Sequence, residues 1–295
     1  MYPTAARLSA YSRMFSSTVF REMASKGKSA LFARLIRESL LLDCASLPER
    51  VSDAFEAAFA VLRIDECRDE YVYKAALTHK VLLGTHSLKS ACMLNEFRVG
   101  ECKADLAILN GTATVYEIKS ERDSLGRLKK QVETYGRVFA RVFVIAGENH
   151  VDAVIASTPS SVGVMRLSKR QQITTIREAE DRPDRICPAT VFESIRSTEA
   201  SQILERLGVA TPDVPNTMRH AELRKLFVRL DPLDVHTEMV RTLKRTRDLA
   251  PLTQLVGQLP LSLQAAALSV PLRKADHSRL LTAVNTDLNE AMKWA

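Results

Sequence analysis

The spacing of hydrophobic positions divides the chain into three zones. In residues 1–66, apolar side chains recur at helical intervals, as Phe55, Phe59 and Leu62 do at i, i+4 and i+7. Residues 67–168 contain short apolar runs of strand length, and residues 169–295 return to helical spacing broken by prolines. The pattern predicts an N-terminal helical segment (1–66), an α/β core (67–168) and a C-terminal helical domain (169–295).

The middle zone predicts a sheet with helices before, within and after it. The expected order is α-β-β-β-α-β-α-β, with elements over residues 69–83, 93–99, 103–109, 112–119, 122–139, 142–146, 151–157 and 162–167. The dipeptide Asn110-Gly111 favours a tight hairpin between the second and third strands. The wholly apolar run 142–146 is typical of a strand covered on both faces. We therefore predict an α/β fold with a mixed central sheet.

Composition limits the classes of protein that fit this pattern. The 295 residues are 46% hydrophobic and 26% charged, as in globular proteins, and the net charge of +7 permits a nucleic-acid partner without requiring one. The five cysteines (Cys44, Cys67, Cys92, Cys102 and Cys187) form no CxxC pair, which argues against a zinc site or a disulfide framework and favours a cytoplasmic protein. No apolar run approaches 18 residues, so we expect no membrane association.

Two segments allow more than one interpretation. The Ser- and Arg-rich first 37 residues have the composition of an organellar transit peptide, but we favour two amphipathic helices over residues 11–24 and 29–42. The basic run from Arg241 to Arg247 is either a solvated helix face or a patch that contacts phosphate. Residues 177–185 mix acids and bases and are interpreted as a linker.

The candidate chemistry lies on the predicted hairpin. Glu117 and Lys119 are two residues apart on the third strand and therefore share one face of it. Pairing about the Asn-Gly turn places residue i opposite residue 221−i, so Asp105 is expected across from Tyr116, beside Glu117. Carboxylates are hard ligands for Mg²⁺ or Mn²⁺, and a bound metal lowers the pKa of a water molecule. With Lys119 as a compact cation, the group suits phosphodiester hydrolysis.

Further side chains are expected near these residues. Glu96 on the first strand is the candidate third acid, and Glu70 at the start of the preceding helix is its rival. Arg127, Gln131 and Tyr135 follow at intervals of four and are expected on one helix face. That face can support the scissile phosphate.

The same residues carry a resemblance to a known family. Asp105 followed by the EIK triplet at 117–119 resembles the motif of the PD-(D/E)xK nuclease superfamily, although Ala104 stands where the motif has proline. Proline supplies no ligand, and the superfamily tolerates this change. The QVETY run at 131–135 is similar to the QxxxY element of RecB-like members. A longer likeness, over about residues 10–250, links the chain to a poorly characterised bacterial and phage family of this superfamily.

The resemblance implies a fold, an oligomeric state and an origin that the residues alone do not indicate. We expect a Mg²⁺-dependent endo- or exonuclease, with DNA favoured over RNA as its substrate. The resemblance implies a restriction-endonuclease-like αβββαβ core flanked by helices, but it does not imply a known substrate. It also implies a homodimer and a bacterial or mobile-element origin, with phage defence, repair and mobile-element biology as candidate roles. The alternative is a catalytically silent nuclease-fold protein of prophage origin that binds DNA or regulates a partner.

Overall fold

The computed structural model describes residues 3–39 and 48–294, so Cys44 and residues 40–42 of the helix predicted over 29–42 lie outside the described residues. The chain forms two compact units. The first comprises Met1–Gly84, Lys169–Gln171 and Ala250–Ala295, and the second comprises Thr85–Ser168 and Gln172–Leu249. These units cut the chain at other positions than the predicted domains 1–66, 67–168 and 169–295, because the helices after residue 169 are shared between them.

The described N-terminal part of the first unit consists mainly of helices. It contains α1 (Ala5–Met14), α2 (Ser17–Lys26), α3 (Ala30–Ser39), α4 (Val51–Leu62) and α5 (Glu70–Leu77), which continues through a π-helical turn (Thr78–Leu82) into α6 (Leu83–Thr85). The helix predicted over 11–24 is wrong, because the Ser16 hydroxyl accepts the Val19 N–H at 3.5 Å and starts a new helix there. Gly27, at φ +73°, ends that helix.

An aromatic cluster forms the core of the first unit. The side chains predicted from helical spacing, Phe55, Phe59 and Leu62, are all buried. Phe15 stacks on Tyr71 with ring centroids 4.4 Å apart and also contacts Phe55. Contacts between aromatic rings stabilise the core beyond the burial of their apolar area.

The second unit contains one six-stranded mixed sheet. Its strands, in both chain and spatial order, are β1 (Cys92–Val99), β2 (Cys102–Asn110), β3 (Thr112–Lys119), β4 (Arg141–Ala146), β5 (Gly163–Leu167) and β6 (Ile173–Arg177). Strands β3, β4 and β5 are parallel, and the other neighbours are antiparallel. The α/β class and the mixed sheet are therefore confirmed, whereas the restriction-endonuclease-like assignment of this core stays a prediction.

One strand was not predicted. β6 falls in the zone expected to be helical, and the prediction for these residues is wrong. Its middle residues, Thr174, Thr175 and Ile176, are all exposed at the edge of the sheet. Because neither face is fully buried, the strand lacks the alternation of apolar and polar residues that would indicate it.

The hairpin register differs by one residue from the prediction. Asn110 pairs with Thr112 across Gly111, which takes φ +73° at the tip. Leu106 pairs with Tyr116, so the position facing Asp105 is that of Glu117 rather than Tyr116. The correction brings the two carboxylates onto directly opposite positions of one sheet face.

Helices complete the second unit and lead back to the first. They are α7 (Leu128–Tyr135), α8 (Val151–Ser157), α9 (Pro188–Ser194), α10 (Ser197–Arg206), α11 (Asn216–Phe227) and α12 (Pro232–Thr246), followed in the first unit by α13 (Thr253–Gln258), α14 (Leu261–Ser269), α15 (Lys274–Asn285) and α16 (Leu288–Ala291). α7 is shorter than the helix predicted over 122–139, because the Asp123 carboxylate accepts the backbone N–H and the hydroxyl of Ser120 and closes a turn instead. Among residues 3–39 and 48–294, no helix combines the length and apolar character that crossing a bilayer requires.

Candidate functional site

The candidate site is centred on Glu117, near the end of β3. Glu117 is 1% exposed and Lys119 is 7% exposed, although both side chains are ionisable. The Lys119 ammonium donates to Glu117 Oε1 at 2.7 Å. Alternation along the strand puts the two side chains on one face, as predicted, while Ile118 points to the other.

Helix α7 supplies two more partners of Glu117. The Gln131 amide donates to Glu117 Oε1 at 2.5 Å, and the Tyr135 hydroxyl lies 2.9 Å from Glu117 Oε2. Gln131 Oε1 also accepts from Lys119 at 3.1 Å, so Glu117, Lys119 and Gln131 form a closed ring of hydrogen bonds. We call Glu117, Lys119, Gln131 and Tyr135 the buried network. The predicted proximity of these four residues is thus observed.

Burial and charge act in opposite directions on Glu117. Burial raises the pKa of its carboxyl above the ordinary value, while the Lys119 cation and the hydrogen bonds of the network lower it. The same surroundings raise the pKa of Tyr135, through burial first and the negative charges of Glu117 and Asp105 next. Tyr135 is therefore a neutral hydrogen-bond donor at physiological pH.

Asp105 and Glu96 stand beside the buried network. Asp105 Oδ2 accepts the Ile118 N–H at 2.7 Å, which ties the two strands together at this point. A carboxylate oxygen of Glu96 and one of Asp105 lie within 4.8 Å of each other. Because metal–oxygen distances are about 2.0–2.6 Å for Mg²⁺ and Ca²⁺, one divalent cation can bridge such a pair.

Glu96 has an unusual backbone conformation. It lies within β1 at φ +53°, a region that non-glycine residues seldom occupy. Its exposed carboxylate forms an ion pair with the Lys103 ammonium. Lys103 also places its carbonyl oxygen 2.9 Å from the Tyr135 hydroxyl, whose single proton goes to the charged Glu117 carboxylate, the stronger acceptor of the two. The sequence interpretation missed Lys103, although its position two residues before Asp105 indicates the same strand face.

Arg127 and Glu70 are the remaining residues that the sequence predicts near the site. Arg127 is exposed and stands immediately before α7, where its carbonyl oxygen accepts the Gln131 N–H at 3.0 Å. That it shares a helix face with Gln131 and Tyr135 stays a prediction. Its side chain forms no hydrogen bond with the buried network. Glu70 begins α5 in the first unit. Glu70 as the alternative to Glu96 for the third acid stays a prediction.

The basic run on α12 is largely engaged within the protein. Arg241 bonds to Glu238 at 2.5 Å and Arg245 bonds to Gln202 at 2.8 Å. The Arg247 guanidinium bonds to the buried Glu199 through two nitrogens, each at 3.1 Å. These contacts favour a structural role for the run over a phosphate-contacting patch.

Comparison with known proteins places the chain in a family. The family model described as "Bacteriophage P4 protein cII" matches residues 63–247, more than half of the 295 residues. The chain belongs to the bacteriophage P4 protein cII family. Asp105, Glu96 and the buried network all lie within the matched residues of this cII family protein.

One curated relative extends the comparison. "Protein cII" of Enterobacteria phage P4 is 31% identical over 102 residues, which cover 34% of this chain and 38% of the relative. The chain thus spans well under half of the length of this cII relative. No solved structure matches the chain. An association with phage is therefore shown, as the resemblance implied.

Proposed function

We propose that the second unit is the core of a Mg²⁺- or Mn²⁺-dependent nuclease that hydrolyses phosphodiester bonds in DNA. The observation that carries the proposal is the constellation around Glu117, in which the buried network is closed and Asp105 occupies the facing strand position. The residue types, the strand order and the following helix agree with the PD-(D/E)xK resemblance. We further propose that the protein acts in the cytoplasm on DNA rather than RNA, and that it acts as a homodimer.

In this proposal Asp105 and Glu117 hold the metal, and Glu96 completes the acid set. The donor chemistry fits, because all three are carboxylates and Glu96 and Asp105 present oxygens within 4.8 Å of each other. Glu117 Oε2 receives one hydrogen bond, from Tyr135, and keeps a further lone pair for coordination. When bound, the metal supplies an activated water and offsets negative charge on the phosphate.

The other residues act through position and charge. Lys119 uses two of its three donors on Glu117 and Gln131, and its third donor orients the attacking water or stabilises charge on the phosphate. Gln131 and Tyr135 fix the orientation of the Glu117 carboxylate. Arg127, which is exposed at the start of α7, contacts a phosphate of the DNA backbone.

A second function is favoured by one observation. Both oxygens of Glu117 already receive hydrogen bonds from protein donors, so its buried charge is compensated without a metal. This supports a catalytically silent protein that binds DNA or regulates a partner, which is compatible with membership of the cII family. The two functions differ in whether a divalent metal binds and whether DNA is cut.

The decisive experiment incubates the purified protein with linear, circular and single-stranded DNA, and with RNA, in Mg²⁺ or Mn²⁺. We expect metal-dependent cleavage of DNA that is lost in Asp105→Asn and Lys119→Met. Lys130→Met is the matched control, because Lys130 forms an exposed ion pair with Glu101 away from the buried network. Glu96→Gln and Glu70→Gln, made separately, identify the third acid by their effect on the metal dependence.

Two results would reject the nuclease proposal. One is cleavage that survives in both Asp105→Asn and Lys119→Met, which would assign the activity to other residues or to a contaminant. The other is absence of cleavage together with absence of Mn²⁺ binding by calorimetry, which would favour the silent alternative. Light scattering of the same preparations tests the homodimer.

A further inference from the structure

A cavity in the second unit lies apart from the candidate site. It has a volume of about 300 Å³, and none of its lining residues belongs to the buried network. Its apolar walls come from the last turn of α7 and the residues after it, from β4, and from the approach to β5, including Val132, Phe139, Val142 and Val162. The volume is at the lower end of the range for small-molecule sites.

Backbone hydrogen bonds hold the walls of this cavity together. The Arg182 N–H donates to the Ala140 carbonyl at 2.9 Å, and the Glu180 N–H donates to the Ser161 carbonyl at 3.0 Å. These bonds join the segment after β6 to the starts of β4 and β5. The cavity is therefore formed by the fold itself and requires no ligand to shape it.

Two arginines at the cavity have uncompensated charge. Within residues 3–39 and 48–294, neither Arg137 nor Arg185 forms an ion pair with a carboxylate. Arg137 Nη2 lies 3.8 Å from the Cys187 sulfur, and Arg185 Nη1 lies 3.5 Å from the Ser161 hydroxyl, both weak contacts. Both side chains are exposed, so their guanidinium groups are available to an anion.

The remaining charged residues of the cavity differ from this pair. Arg182 is engaged by Asp184 through two hydrogen bonds of 2.9 and 2.7 Å, and lies 3.6 Å from Glu180. Glu133, in contrast, has no cationic partner in the part of the chain that the structure describes. The cavity thus combines apolar walls, two available cations and one available carboxylate.

We propose that this cavity binds a nucleoside monophosphate, either free or as the 5′-phosphorylated end of a strand. Arg137 and Arg185 take the phosphate, because guanidinium groups match phosphate oxygens in charge and geometry. The apolar walls take the base. Glu133 accepts a hydrogen bond from an exocyclic amine, so CMP, which has that amine, binds more tightly than UMP, which has a carbonyl there.

The test is calorimetric titration of the full chain with CMP, UMP and a 5′-phosphorylated oligonucleotide, with its unphosphorylated form alongside. The buffer contains EDTA, so that binding does not depend on the metal of the proposed function. We expect one site per chain, weakened about tenfold or more in Arg137→Ala and in Arg185→Ala, since hydrogen bonds to charged groups contribute about 1.5–3 kcal/mol. Arg245→Ala on α12, an exposed arginine outside the cavity, is the matched control and should bind normally.

Two further variants separate the parts of the proposal. Gly136 lines the cavity and an added Cβ there meets its nearest atom at an ordinary 3.5 Å, so Gly136→Met should obstruct the cavity without unfolding the chain and abolish binding. Glu133→Gln should reduce the preference for CMP over UMP. Binding of the mononucleotides alone indicates a free ligand, and binding of the phosphorylated end alone indicates a strand end; both support the site. No binding at millimolar concentration, or binding that Arg137→Ala, Arg185→Ala and Gly136→Met leave unchanged, would overturn it.

Discussion

The replacement Lys119→Met tests the buried network through stability, independently of any activity. Methionine keeps most of the volume of the lysine side chain but removes its charge and its hydrogen bonds. Glu117, which is 1% exposed, then keeps only the neutral donors Gln131 and Tyr135. Leaving one member of a buried ion pair without its partner costs about 3–5 kcal/mol. We expect a loss of this size from the second unit near pH 8.

The pH dependence of this loss follows from the carboxyl of Glu117. Its pKa is raised above the ordinary value, so its contribution to stability is largest below about pH 4.5 and declines as the pH rises through the folded-state pKa. The Lys119 cation is the largest influence that lowers this pKa. Its removal raises the pKa further. Lys119→Met should therefore be less destabilising at pH 5 than at pH 8, because protonation of the unpaired carboxyl becomes more favourable as the pH falls.

A double-mutant cycle isolates the interaction. Glu117→Gln leaves the buried Lys119 without its counter-charge, and Glu117→Gln with Lys119→Met removes both charges. We expect the double variant to be more stable than the sum of the single losses by about 2 kcal/mol. Lys130→Met, which breaks an exposed pair, should leave stability unchanged.

The assay must report the two units separately. The single tryptophan, Trp294, belongs to the first unit, so its fluorescence in urea follows that unit and acts as an internal control. Hydrogen exchange of the β3 amides in the same urea series follows the second unit. The reasoning is refuted if the single losses are additive within about 0.5 kcal/mol, or if Lys119→Met costs the same at pH 5 and pH 8.

Two further predictions concern side chains outside the buried network. His236 Nε2 accepts the Ala113 N–H at 3.2 Å, and burial lowers the pKa of the imidazole below 6.5, so the stability that this group contributes above that pH should be lost as the pH falls. In urea unfolding from pH 8 to 5, the free energy of unfolding should depend less steeply on pH in His236→Gln than in the unmodified protein. An equal pH dependence in both would contradict this. Burial works to raise the pKa of the Cys187 thiol, but neighbouring hydrogen bonds and the Arg137 cation lower it overall, whereas burial raises the pKa of Cys92 to about 12. Iodoacetamide at pH 7.5 should therefore alkylate Cys187 and spare Cys92 in mass spectra, and the reverse order would show that these surroundings do not control the thiols.

The sheet could be predicted from the sequence where its strands are buried. The apolar run of β4 and the Asn110-Gly111 hairpin are local signals, and both are present in the structure. β6 escaped prediction because its exposed threonines carry no burial pattern. The register was wrong by one residue, because it depends on whether one or two residues form the turn, and Asn-Gly alone does not decide this.

The site follows the same division between local and long-range information. Strand alternation predicts that Glu117 and Lys119 share a face, and the interval of four predicts the same for Gln131 and Tyr135. The turn at Ser120 and Asp123 delays the start of α7, so Arg127 stands at the beginning of this helix rather than within it as predicted. No sequence pattern states which helix face docks on which strand, so the closed ring of hydrogen bonds could not be predicted.

The first unit is assembled from stretches that the second unit separates along the chain. The Val51 N–H donates to the Thr286 carbonyl at 3.0 Å, the Leu288 N–H donates to the Glu49 carbonyl at 2.8 Å, and the Tyr71 hydroxyl donates to the Ser262 carbonyl. A ribosome releases these C-terminal partners only after the whole second unit has emerged. The sheet can therefore form during synthesis. The N-terminal helices of the first unit are synthesised earlier, but their apolar faces stay exposed until the C-terminal helices are made. Nascent chains stalled before Ala250 would then hold a folded sheet beside an unprotected helical segment, a natural substrate for chaperones and proteases.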